Sequence, residues 1–302
     1  MKKHLILSAI VLVATIFSFG LISNTYAEDK PTVTISISPT RESADLKPGD
    51  SFTGSFRVAS IGTAAFDYNI SAKPFTVTDR NYSFNYGESN EFTNTEDWVV
   101  FDSTSGHLEP NSVDRIYYTI HVPHDATPGG HYIALLASTK GGEDAMINVE
   151  SSVALIVYLT VEGEINRSGD IIENTIPQFY LTGPIHVDSL VKNTGNIHGE
   201  ATYEVEIRNL FTNEIAYTNQ ENPSTAIILP KTERFSTSNW DGAPALGIFK
   251  VRQTIKFLDK VSTEEKIVII CPLWLIFIIV FVIALLIVRA FSRKNSKNKA
   301  SE

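Results

Sequence analysis

Apolar and polar residues alternate with a period of two along most of the chain. Phe52, Gly54, Phe56 and Val58 share one side of a run whose other side is polar, and Phe66, Tyr68, Ile70 and Ala72 repeat the pattern after a turn at residues 60–63. Ile116, Tyr118, Ile120 and Val122 follow, then residues 131–138, and residues 152–161 are apolar on both sides. A period of two sends every second side chain to one face of a pleated strand, and a run apolar on both sides reads as a strand covered on both faces. The pattern returns with Ile185, Val187, Ser189 and Val191, with Ala201, Tyr203, Val205 and Ile207, and with Phe249, Val251, Gln253, Ile255 and Phe257. Gly, Pro, Asn and Asp clusters separate the runs and no segment between them keeps a helical period, so the reading is all-β.

Residues 163–175, GEINRSGDIIENT, interrupt the pattern and read as a linker between a first sandwich at 28–162 and a second at 176–266. The phrases LKPGDS (46–51), LEPNSV (108–113) and LPKTER (229–234) each place a Leu and a Pro-led turn before a strand, which suggests two sandwiches of related design. In VKNTGNIHGEATYEVEI (191–207), Asn-Thr-Gly-Asn joins two strand patterns, so its polar residues read as a bend and His198 and Glu200 lack a third partner for catalysis. Tyr132, just inside a strand after a bend, is a candidate tyrosine corner.

The ends differ in kind. Residues 1–27 carry Lys2 and Lys3, an apolar run and a small-residue finish at Ala27, the form of a secretory signal. Residues 267–288 contain no charge and are followed by Arg289, Arg293, Lys294, Lys297 and Lys299. That reads as one transmembrane helix with a basic cytoplasmic tail at 289–302 and the bulk of the chain outside a cell membrane. Cys271, the only cysteine, falls in this run beside Pro272, where a first helical turn is expected, and no disulfide can brace the sandwiches.

The 302-residue chain has a net charge of −9, and residues 28–266 hold 18 Lys and Arg against 33 Asp and Glu, or −15. Such a surface repels nucleic acid. His121, His124, Asp125 and His131 are dense enough to suggest zinc, but a proline between the first two turns them apart, so no metal and no cofactor is expected. No nucleophile elbow, phosphate loop or dinucleotide fingerprint is present, and the expectation is a protein that is not an enzyme. LPKTE at 229–233 is similar to a sortase signal but has Glu233 where Gly is required, and it reads as a turn. Asn69, Asn81 and Asn166 fit the glycosylation pattern by chance. Tyr82, Phe84, Tyr86, Phe92 and Trp98 lie in one long loop and are the candidate residues for binding a partner or a glycan, the alternative being that they cover one end of the first core.

Taken in order, PGDSFTGSFRVAS, DYNISAKPF, DWVVF, VPHDATPGGHY, VKNTGNIHGEATYEV, ILPKTERFSTSNW, GIFKV and the basic-tailed apolar run resemble the WxL-interacting-protein family of Gram-positive surface proteins. The resemblance implies two immunoglobulin-like β-sandwiches in tandem, followed by one transmembrane helix. It also implies a non-catalytic scaffold that displays WxL-type surface proteins at the cell envelope, with peptidoglycan at the first domain and a host or partner protein at the second. A second reading, from a different class, is a chaperone or assembly factor for surface subunits that lends a sheet edge by strand addition.

Overall fold

The computed structural model describes residues 31–139 and 151–299. The proposed signal at 1–27 lies outside the described residues. The first eleven strands are β1 (Ile35–Ser38), β2 (Arg41–Leu46), β3 (Ser51–Ser60), β4 (Phe66–Lys73), β5 (Phe75–Val77), β6 (Phe84–Tyr86), β7 (Val99–Phe101), β8 (Ser105–Leu108), β9 (Val113–His121), β10 (Gly129–Thr139) and β11 (Ser152–Val161). Sheets ordered β1-β3-β9-β7 and β2-β11-β10-β4-β8 contribute to one core, and β5 and β6 form a separate hairpin. Phe56, Ile116 and Ile120 from one sheet meet Ile133, Leu135 and Leu159 from the other in that core. Each such side chain, fully buried, stabilises the fold by about 1.5–3 kcal/mol before chain entropy is counted.

The following strands are β12 (Gly169–Thr175), β13 (Phe179–Tyr180), β14 (Ile185–Asn193), β15 (Gly199–Asn209), β16 (Ile215–Thr218), β17 (Ser224–Ile228), β18 (Glu233–Trp240), β19 (Gly247–Phe257) and β20 (Lys260–Ile270). Their sheets run β12-β14-β18 and β13-β20-β19-β15-β16, with β17 also on β15. Val187, Val205, Val251 and Val268 fill one end of the space between them, and Val191, Tyr203, Ile255 and Phe257 the other. Residues 169–175, expected to be linker, are instead β12, paired with β14 through a bulge. Asn-Thr-Gly-Asn lies between β14 and β15, which belong to different sheets, so the bend is a corner of the sandwich and not a hairpin.

The apolar run at 267–288 divides into two elements. Residues 267–270 complete β20, in register with β19 from Lys250↔Ile267 to Gly247↔Ile270, and Val268 and Ile270 are buried in the second core. Helix α1 (Leu273–Lys299) starts only after Pro272, whose carbonyl accepts the Ile276 amide at 3.3 Å. The uncharged helical stretch is then residues 273–288, roughly 24 Å at 1.5 Å per residue against the roughly 30 Å of a bilayer core. Among the described residues no helix is long and apolar enough to cross a membrane. The transmembrane helix, the cytoplasmic tail and the single-pass membrane localisation read from the sequence are corrected accordingly: the apolar run is not one helix, because its first four residues are strand.

Candidate functional site

Two features stand out: a polar-aromatic junction between the sandwiches, and an open edge on β11. At the junction Tyr82, with φ of 65°, is buried, and its hydroxyl accepts the Leu229 amide at 2.7 Å and lies 2.5 Å from Thr232 Oγ1. The Arg234 guanidinium sits 4.3 Å from its ring centre. Arg80 reinforces the contact, its carbonyl accepting the Phe235 amide at 2.7 Å and its side chain pairing with Glu233 at 2.9 Å. LPKTE, whose sequence reads as a turn, is thus the socket for Tyr82.

Tyr132 makes the second tie. Its hydroxyl accepts the His198 backbone amide at 2.8 Å and lies 3.2 Å from His198 Nδ1, so it does not close a corner onto its own upstream chain. The His198 ring packs between Tyr132 and Tyr158, with ring centres 5.7 and 5.2 Å away. Burial first, and the Arg167 charge next, hold His198 below the usual imidazole value. Burial also pushes the Tyr132 phenol up. Asn196 supplies the third tie: its carbonyl accepts the Gly130 amide at 2.8 Å, and Nδ2 donates to the carbonyls of Glu164 at 2.9 Å and Pro128 at 3.3 Å. Gly129, at φ 128°, passes so close that a Cβ there would lie 2.7 Å from the Asn196 carbonyl oxygen. Asn193 braces the corner from inside, donating to the carbonyls of Ile197 at 2.8 Å and Ile228 at 2.9 Å.

The five aromatic candidates therefore divide. Tyr82 is committed to the second sandwich; Phe92 packs on the cluster that joins the sandwiches, and its carbonyl accepts the Tyr132 amide at 2.8 Å. Trp98 packs against the first core and stacks on His131, with ring centres 4.8 Å apart. Phe84 and Tyr86 flank Phe75 and remain 38% and 41% exposed. Trp98 and His131, with Asp125, Asn196 and Lys231, line a cleft of about 550 Å³ beside the junction. The three histidines do diverge: His121 Nδ1 lies 2.8 Å from Ser51 Oγ, His124 packs over Gly49, and His131 Nε2 donates to the Thr127 carbonyl at 2.8 Å.

The β11 edge is of a different kind. β2 pairs with β11 in parallel, and only over residues 156–161. On β11 the Ile156 and Glu162 amides both donate outward, to the Thr40 carbonyl at 3.1 Å and the Leu46 carbonyl at 2.8 Å. Strand alternation then sends the Ala154 amide outward too, and residues 152–155 have no strand on that side among the described residues. The exposed stretch carries no charge. β20 offers the contrast: β13 covers only Ile269 and Ile270, but Lys266 and Glu264 on the side facing the opposite sheet pair at 2.7 Å, a charge that discourages edge pairing. The sequence signal for β11 was its double apolar face, which Ala154, Ile156 and Tyr158 turn toward Leu229 and Ile227 of the second sandwich.

No family model and no curated protein matches the chain. Among solved structures it is similar to the class 5 fimbriae chaperone CfaA, at 14% identity over 80% of this chain and all of that one, with a TM-score of 0.37. It is also similar to the Escherichia coli chaperone DraB, at 10% identity over 78% of this chain and 96% of that one, TM-score 0.38. A chain of the Salmonella enterica complex between the pilin SafA and the chaperone SafB matches at 9% identity over 78% of this chain and 97% of that one, TM-score 0.38. The resemblance to WxL-interacting proteins is corrected: no family model supports it, and none of the three structures above is described as such a protein. Withdrawn with it are the membrane-anchored display role at the cell surface and wall, the WxL-type, peptidoglycan and host-protein partners, and attachment through a membrane helix. Its motifs are mainly turn sequences, and turn chemistry recurs wherever strands must be joined.

Proposed function

We propose that the protein is a non-catalytic chaperone or assembly factor that lends the open edge of β11 to an extended segment of another polypeptide. In this reading the chain consists of two immunoglobulin-like sandwiches, the first ending near residue 162 and the second beginning with β12. The observation that carries it is the uncharged stretch 152–155, whose outward backbone groups have no strand partner among the described residues and whose last residue, Leu155, is buried with Ile156 beside it. A visiting strand gains ladder hydrogen bonds there and sets alternate side chains beside an existing apolar core. The tied junction holds this edge in a fixed relation to the second sandwich, which suits a template better than a flexible linker would.

Ala154→Pro tests the reading, because its amide faces away from β10 and its loss leaves the β10–β11 ladder intact. The full chain is mixed with a ten-residue peptide alternating Val and Thr, and hydrogen exchange is followed over residues 152–155. Slowed exchange in the parent protein and none in the variant supports strand addition. Peptide binding that A154P leaves unchanged, or no protection at saturating peptide, overturns it.

A further inference from the structure

The outward face of the β1-β3-β9-β7 sheet sets two arginines opposite one another. Its rows read Arg57 opposite Arg115, Ser55 opposite Tyr117 and Thr53 opposite Thr119. Like charges directly opposite on neighbouring strands repel, and the usual remedy is a carboxylate nearby. Within the strands themselves none is present: no outward position of β1, β3, β7 or β9 is Asp or Glu, in a chain with 34 of them. Asp114, beside Arg115, points inward and accepts the Tyr68 hydroxyl at 2.8 Å. Asp102, past the end of β7, is engaged by the Tyr117 amide at 2.9 Å. Neither Arg57 nor Arg115 has an ion-pair partner among the described residues.

The second sandwich shows what this chain does when a cationic face is to be neutralised. On its outward sheet Arg252 and Lys250 both meet Glu265, at 2.7 and 2.8 Å, Lys256 meets Glu204, and Arg208 meets Glu206 at 2.9 Å. The first sandwich leaves its pair open and flanks it with exposed Val113 on one side and Tyr117 and Val100 on the other.

We propose that this face docks an acidic segment of a partner polypeptide, with Arg57 and Arg115 closing on a carboxylate. Directly opposed residues on adjacent strands have Cβ atoms about 5 Å apart, so both guanidiniums can reach one carboxylate. The apolar flanks favour a polypeptide over a bare polyanion, because Val113, Tyr117 and Val100 offer contacts that only a ligand with apolar groups uses. This surface lies on the sheet opposite β11, and the inference does not depend on strand addition.

The test uses the full chain and a fluorescein-labelled ten-residue peptide alternating Glu and Val, read by fluorescence anisotropy at low and at physiological salt. R57Q/R115Q is expected to bind at least tenfold more weakly, while Arg252→Gln leaves binding within twofold. Each single variant, R57Q or R115Q, is expected to melt no lower than the parent, since it removes a repulsion, so weaker binding cannot be ascribed to unfolding. Binding by the double variant within twofold of the parent overturns the proposal. So does binding of inorganic polyphosphate without the peptide, or a parent dimer that dissociates in the double variant.

Discussion

Replacing Tyr132 with Phe isolates one tie between the sandwiches. The ring is fully buried and the substitution preserves its shape, so the loss is confined to the hydroxyl. That oxygen satisfies the His198 amide at 2.8 Å and lies 3.2 Å from Nδ1 of the same residue. In Y132F the amide faces a ring edge packed beside Tyr158 and loses its acceptor. An unsatisfied buried donor costs about 1–3 kcal/mol. For a folded portion of this size each kcal/mol moves the melting temperature by about 2–4 °C. Calorimetry and urea unfolding of the full chain should show a drop of about 1–3 kcal/mol, with the change concentrated in the coupling of the two sandwiches. Tyr68→Phe, which removes a hydroxyl bonded only to Asp114 within the first sandwich, is the control that should leave such coupling unchanged. A Y132F protein within about 0.5 kcal/mol of the parent would refute the reasoning, because surface substitutions without structural consequence fall in that range.

Two further outcomes rest on the same geometry. Ile270→Ala should destabilise the fold by about 2–5 kcal/mol in urea unfolding, the cost of a truncated core side chain, because Ile270 belongs to β20; a helical Ile270 outside the core would cost far less. Stability should fall as pH drops below about 6.5, the unfolded imidazole value, because His198 and His131 are held below it by burial and the unfolded chain then binds the protons, a loss that the exposed His107, raised by Asp67, offsets in part. The loss continues down to their folded values, before the window of Glu206, Glu233 and Glu265 opens below the ordinary carboxylate value. Equilibrium unfolding at pH 7.5 and 5.5 checks the sign, and His198→Gln should reduce the slope.

The strands were legible where one face is buried and the other wet. In β9 and β19 the alternation maps onto burial almost residue by residue, because a period of two has one physical reading. The double apolar face of β11 was legible as a covered strand, but what covers it was not: Leu229 and Ile227 lie some 70 residues away in sequence. Tyr82 and Trp98 read as one aromatic loop although one docks on the second sandwich and the other on the first core, a division decided by distant partners. A continuous apolar run cannot separate strand from helix, so residues 267–270 were merged with the helix beyond them. Pro272 was the punctuation that marked the division. The Arg57–Arg115 pairing is invisible without register, since nothing in either local sequence tells that the two residues face each other.

β20 passes into α1 through Cys271 and Pro272 alone, with no slack between them. Tension on α1 therefore reaches the strand directly, and the component along β20 is carried as shear by the β19–β20 ladder from Gly247↔Ile270 to Phe257↔Lys260. All its hydrogen bonds share that load together, whereas a strand pulled sideways unzips one rung at a time. Loaded in this way, the second sandwich resists through eleven paired positions at once.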